Sequence, residues 1–130
     1  MSGQAFEMRR REVETATGLA TICYLVCQPL EQAGFVNAFS TRLGGVSPLP
    51  ENSLSLTYFK GDEKANVAEN RRRFLNAIGC DGAQIMTARQ THSIDIASIE
   101  AAEQSGMQLS CDAMTTKLRG LLLSIRAPLT

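Results

Sequence analysis

The chain has 130 residues, the size of one ordinary domain, and 44% hydrophobic with 20% charged residues is a globular composition that excludes a disordered tail. Thirteen Lys+Arg balance thirteen Asp+Glu, so no net field draws the chain to nucleic acid or to an anionic membrane. Five Phe, two Tyr and no Trp offer few stacking platforms for single strands.

Residues 1–18 are polar and patternless, and a loose or weakly helical lead is expected there, with the domain proper over 19–130. Arg9, Arg10 and Arg11 ahead of the apolar run Leu19–Cys27 imitate an export leader. Glu12 and Glu14 intervene, no small-residue cleavage site follows, and the run is far short of the ~20 residues that span a membrane. Cys23, Cys27, Cys80 and Cys111 lack the regular spacing of a disulfide framework. The chain therefore reads as cytoplasmic, with reduced thiols.

Thr21–Gln28, rich in β-branched and aromatic residues and bounded by Pro29, predicts a strand, and Phe35–Thr41 after Gly34 predicts a second. Paired glycines and two prolines between Arg42 and Pro50 predict an ordered loop with unusual backbone dihedrals. The clearest helix is predicted over 63–78, capped by Asp62, ended by Gly79, and facing the core with Val67, Phe74, Leu75 and Ile78. Arg71, Arg72 and Arg73 fan around it, two of them expected in solvent and one free for a specific role. Strands are expected between Ala83 and Glu100, anchored by Ile85, Ile94, Ile96 and Ile99. A polar turn is expected at Asp112–Thr116, and a strand buried on both faces over 120–125.

Few residues offer chemistry. His92 is the single histidine; by itself it is as compatible with a hydrogen-bonded surface residue as with a metal ligand. Cys23 and Cys27 would lie on one strand face roughly 13 Å apart, too far to share a metal. Arg42 beside Gly44 and Gly45 suits a bidentate grip on phosphate or carboxylate, or equally a tie between the loop and a nearby carbonyl. No Gly-x-x-x-x-Gly-Lys-Ser/Thr or Gly-x-Gly-x-x-Gly element is present, so nucleoside triphosphate and dinucleotide sites lack support.

Several segments together resemble the YfiH or laccase-domain family. They are Phe39-Ser40-Thr41-Arg42-Leu43-Gly44-Gly45-Val46-Ser47, Ser53-Leu54-Ser55-Leu56, Gly61-Asp62, Val67 with Glu69-Asn70-Arg71-Arg72-Arg73, Gln90-Thr91-His92, and Asp112-Ala113-Met114-Thr115-Thr116. They follow in family order over roughly Gly34 to Ile125, with Ser55, Thr91 and Ser93 departing from the usual Asn, Val and Gly. The resemblance implies an α/β (α+β) fold, layered α/β/β/α with mixed sheets, of which this chain reads as the N-terminal half. It implies zinc-dependent purine nucleoside phosphorylase activity with adenosine deaminase side activity, once described as a copper-dependent polyphenol oxidase or laccase.

By the same resemblance Arg42 would be catalytic, Ser40, Arg42 and Asn70 would contact substrate, and Asn70 and Arg71 would lie on the helix that buttresses the loop. His92 would be the first of three zinc ligands. The other two family ligands, in Thr-Ala-Asp-Cys and His-Ala-Gly-Trp-Arg-Gly segments, are expected past Ile125, where this sequence reads Arg-Ala-Pro-Leu-Thr. With one ligand the chain is expected to hold zinc weakly. Partners so implied are a purine nucleoside and phosphate, and the uncovered edge and apolar face of the last strand would favour self-association. The alternative expectation is a non-catalytic remnant that binds a purine-like ligand without turnover.

Overall fold

A computed structural model describes residues 5–48, 50–91, 93–100 and 109–125. The chain divides into two compact units, residues 1–81 and 82–130.

The first unit opens with β1 (Phe6–Thr15), paired antiparallel with β2 (Gly18–Cys27) from Phe6 opposite Cys27 to Thr15 opposite Gly18. Most of the expected loose lead is thus a ten-residue strand. Its periodicity is hidden because charged residues occupy most positions of both faces. Arg11 and Arg9 stand opposite Ile22 and Tyr24, and Val13 is the one buried residue of the strand. The apolar side of the pairing comes almost entirely from β2, whose Ile22, Tyr24 and Val26 are buried. After β2, α1 (Gln28–Gln32) carries a proline in its first turn. The second predicted strand shrinks to β3 (Phe39–Ser40), which joins the other edge of β2. Asn37 shows why: its side-chain Oδ1 accepts from the Cys27 N–H at 2.8 Å and its Nδ2 donates to the Cys27 carbonyl at 3.1 Å. A side-chain amide takes the place of a strand backbone there.

A short antiparallel pair follows, β4 (Ser47–Pro48) with β5 (Glu51–Ser53). The main helix, α2, spans Lys64–Ala77. Asp62 lies one residue outside the N-cap Glu63, and its Oδ1 accepts from the Glu63 N–H at 2.7 Å and from Asn66 Nδ2 at 3.0 Å. Gly79, with φ of 75°, ends the helix while the Cys80 N–H bonds back to the Leu75 carbonyl at 2.8 Å, the left-handed stop that glycine permits. The core gathers Val13, Ile22, Tyr24, Val26, Leu54, Phe74 and Ala77. Tyr24 meets Phe74 edge-on with centroids 6.5 Å apart and donates to the Ala77 carbonyl at 3.4 Å, so α2 is seated on the inner face of β2.

The second unit holds β6 (Gln84–Met86), β7 (Ala88–Arg89), β8 (Ile96–Ile99), β9 (Leu109–Ser110), β10 (Ala113–Thr116) and β11 (Leu121–Leu123). They form three parallel pairs: β6 with β11, β7 with β9 and β8 with β10. Residues 113–116, expected as part of a polar turn, are a strand because β8 supplies a partner distant in sequence. Ile99 is buried as expected, but Ile94 is 95% and Ile96 68% exposed, so neither is an anchor. β11 is half-buried and shorter than the run that predicted it. The molecule is mixed α+β, with few helices and several small sheets. Among the described residues no helix is long and apolar enough to cross a membrane.

Candidate functional site

Residues 40–47 form a loop that its neighbours hold from every side. It leaves the sheet at Ser40, opposite Tyr24. Thr41 turns its hydroxyl back to the Cys23 carbonyl at 2.8 Å. The Arg42 carbonyl accepts from the Leu54 N–H at 2.8 Å, and the Gly45 N–H donates to the Asn52 carbonyl at 3.1 Å.

The two glycines are required by space as well as by dihedral angle. Gly44 has φ of 94°, and a Cβ there would strike the Thr21 carbonyl oxygen and come within 2.6 Å of Ile22 Cδ1. A Cβ on Gly45 would run into the Ser53 carbonyl and the Leu54 backbone. Backbone lies against backbone at this point, which only glycine allows.

Helix α2 locks the loop from the other side. Asn70 is fully buried, at 0% exposure. Its Oδ1 accepts from the Val46 N–H at 2.9 Å, and its Nδ2 donates to Ser47 Oγ at 2.9 Å and to the Ser55 carbonyl at 2.8 Å. Ser47 Oγ in turn donates to Asp62 Oδ2 at 2.6 Å. That hydroxyl is the main reason the Asp62 carboxyl titrates below the ordinary carboxylate range. The Asn66 amide and Glu63 N–H act in the same sense, and desolvation opposes them.

The three consecutive arginines divide the work unequally. Arg73, only 8% exposed, donates to the Gly44 carbonyl at 2.9 Å and pairs with Glu69 at 2.8 Å. Arg72 pairs with the same carboxylate at 2.8 Å and reaches the Glu14 carbonyl at 3.0 Å. Arg72 first, and then Arg73, hold the Glu69 carboxyl down at about 2 against the opposing effect of burial. Arg71 is half-buried and its Nε donates to the Leu56 carbonyl at 2.8 Å. One arginine of the three is exposed, where two were expected.

Ser40 and Arg42 are both exposed. The Arg42 guanidinium engages no hydrogen-bond acceptor or carboxylate among the described residues. Of the two readings open for it, tying the loop to a carbonyl belongs to Arg73 instead. Sequence reasoning missed Arg73, Glu69, Ser47 and Asp62 as parts of this assembly. The spacing of Glu69 and Arg73, one helical turn apart, was the one visible signal.

His92 lies outside the described residues. Its neighbours do not. Asp112 accepts from the Thr91 N–H at 3.0 Å, from Thr91 Oγ1 at 3.3 Å, from Ser93 Oγ at 3.1 Å and from the Ser93 N–H. One carboxylate therefore holds the amides on both sides of position 92. The four cysteines are free thiols. Among the described residues no group of three or more His, Cys, Asp or Glu is placed to hold a metal ion.

This α+β arrangement, with its small sheets and its glycine loop clamped by one helix, has a counterpart among solved structures that gives it a YfiH-like fold. YlmD from Geobacillus stearothermophilus matches it with a TM-score of 0.64 and 27% identity, over 77% of this chain and 40% of that one. The family described as multi-copper polyphenol oxidoreductase laccase matches residues 36–127, and the chain belongs to that family. It is 36% identical over 88 residues to a purine nucleoside phosphorylase of Corynebacterium glutamicum, covering 67% of this chain and 36% of the relative. To a purine nucleoside phosphorylase of Streptomyces griseus it is 35% identical over 89 residues, covering 68% of this chain and 36% of the relative. The purine nucleoside phosphorylase LACC1 of Mus musculus is 31% identical over 104 residues, 77% of this chain and 23% of the relative. The chain thus spans about a third of the length of these bacterial relatives.

Proposed function

We propose that this chain supplies the phosphate- and nucleoside-contacting part of a purine nucleoside phosphorylase, with Arg42 as its catalytic cation. The observation that carries this reading is the unneutralised Arg42 guanidinium, projecting from a loop whose backbone is fixed by Leu54, Asn52, Asn70 and Arg73. The names of the relatives support the substrate class.

In phosphorolysis a phosphate oxygen forms a bond to the anomeric carbon of the nucleoside while the bond to the purine nitrogen breaks. The electron pair leaves with the base, and positive charge develops on the sugar. A cation on a rigid loop holds the phosphate dianion in line without reorganising as the reaction proceeds. Arg42 does this, and Ser40, two residues before it and also exposed, offers a hydroxyl to phosphate or sugar. Asn70 is spent on Val46, Ser47 and Ser55, so it serves substrate through the loop and not by touching it.

His92 is proposed as a zinc ligand. Zinc, when bound there, would supply a Lewis acid at the leaving base or a metal-activated water. A second reading is that the chain binds a purine-like ligand without turnover. Four free thiols support a reducing compartment such as the cytoplasm, and balanced charge gives no reason for a nucleic-acid or membrane partner.

Incubation of the chain with inosine and phosphate, with hypoxanthine and ribose 1-phosphate followed by chromatography, tests both readings. Turnover that Arg42→Lys lowers about 100-fold or more, as for loss of a transition-state contact, supports the enzyme. Saturable inosine binding without product supports the second reading. A folded chain that neither binds nor turns over inosine overturns both.

A further inference from the structure

We propose that Arg71 is a second cation of the anion site at the Arg42 loop, and that the two guanidinium groups grip one phosphate between them. This rests on the reading of Arg42 as a phosphate contact and names a residue which that reading leaves as a buttress. The first ground is charge. Glu69 lies three residues before Arg72 and four before Arg73, and it neutralises both. The corresponding positions around Arg71, one helical turn either way, are Val67, Ala68, Phe74 and Leu75. Helix α2 therefore presents Arg71 with no counter-charge, and no carboxylate elsewhere among the described residues pairs with it.

The second ground is unused valence. Only Nε of Arg71 is engaged, by the Leu56 carbonyl at 2.8 Å. Both Nη groups are without a partner among the described residues, and together they form the edge of the planar fork that matches a tetrahedral oxyanion. The side chain is half-buried, so part of its hydration is already lost and an anion would recover the deficit.

The third ground is proximity. The Arg42 carbonyl receives the Leu54 N–H at 2.8 Å, and Arg71 is fixed to Leu56. Leu54 and Leu56 are two residues apart, at most about 7 Å of chain. The backbone of Arg42 and the side chain of Arg71 are thus anchored to one three-residue stretch. Ser55 between them is fixed in turn, its carbonyl held by Asn70.

The test is titration of the full chain with inorganic phosphate, by calorimetry and by NMR of arginine side-chain N–H groups, alongside thermal melts. Saturable binding is expected, with the Arg71 Nε–H resonance moving along the same isotherm. Arg71→Gln is expected to weaken phosphate about 10-fold or more, as for a lost hydrogen bond to a charged group, while inosine affinity measured without phosphate stays as in the parent. The combination with Arg42→Lys is expected to lose less than the two single losses added, because both residues serve one anion. Absence of saturable phosphate binding overturns the proposal, as does an Arg71 resonance that stays still while phosphate binds. Additive losses would place the arginines on separate anions and overturn the shared site. A folded Arg71→Gln protein with parental affinity, beside a weakened Arg42→Lys, overturns this proposal and leaves the Arg42 reading standing. Loss in Arg71→Gln alone overturns the Arg42 reading and retains Arg71 as the phosphate contact.

Discussion

A single buried amide decides the shape of the loop. Asn70 satisfies the Val46 N–H, the Ser47 hydroxyl and the Ser55 carbonyl at once, and Asn70→Ala would take this partner from the Val46 N–H and the Ser55 carbonyl and leave Ser47 Oγ with Asp62 alone. At ~1–3 kcal/mol for each buried group left unpaired, with some relaxation, a loss of about 3 kcal/mol is expected from chemical denaturation. Asn70→Asp, isosteric but unable to donate, should lose the two bonds made by Nδ2 and repel Asp62 through Ser47. Glu69 gives a pH signature. Its carboxyl is depressed from 4.5 to about 2 by the two arginines. The stability it contributes is therefore complete above pH about 4.5 and is lost as pH falls towards 2. Asp62, also depressed, contributes with the same sign. Melting temperature followed through this window should fall more gently in Glu69→Gln than in the parent, from a lower starting value at neutral pH.

The same loop separates two kinds of glycine within its setting of strands and helix. Gly79 ends α2 with φ of 75° and open space where a Cβ would stand, so Gly79→Ala pays only for the left-handed backbone, about 1 kcal/mol. Gly45 faces the Ser53 and Leu54 backbone. Gly45→Ala cannot be accommodated by turning a side chain, and it should cost more than twice as much and release Arg42 from its place. Paired melts of the two variants check the ranking. Helix α2 was legible because capping, period and stop signals agree along one stretch of chain. Strand β2 was legible by its β-branched and aromatic composition. Strand β1 was not, since its charged residues conceal a face completed only by β2. Neither was β10, whose pairing with β8 is a long-range fact. The loop announced itself through Arg42, Gly44 and Gly45, and its buried supports did not: Asn70 and Arg73 occupy core positions of α2 where polar residues are rarely found.

For the molecule as a whole, the core cluster from Val13 to Ala77 lies wholly within residues 1–81. A fragment of that length should melt cooperatively and give a dispersed amide spectrum; a broad, non-cooperative melt would show that its core needs the rest of the chain. The thiols are free, so adding reductant should leave the melting temperature of the full chain unchanged. Among the described residues β11 pairs with β6 alone, and an unpaired strand edge is a template for further pairing. Sedimentation is expected to show mass rising with concentration, and a constant monomer mass across the range would contradict it.

The grip of Asp112 on the amides of Thr91 and Ser93 joins residues that stand 21 and 19 positions apart in sequence. Anyone transplanting the Gln90–Ser93 segment into another scaffold, or exchanging it with a relative's, must carry the aspartate along, or the amides of Thr91 and Ser93 will lose the carboxylate that receives them.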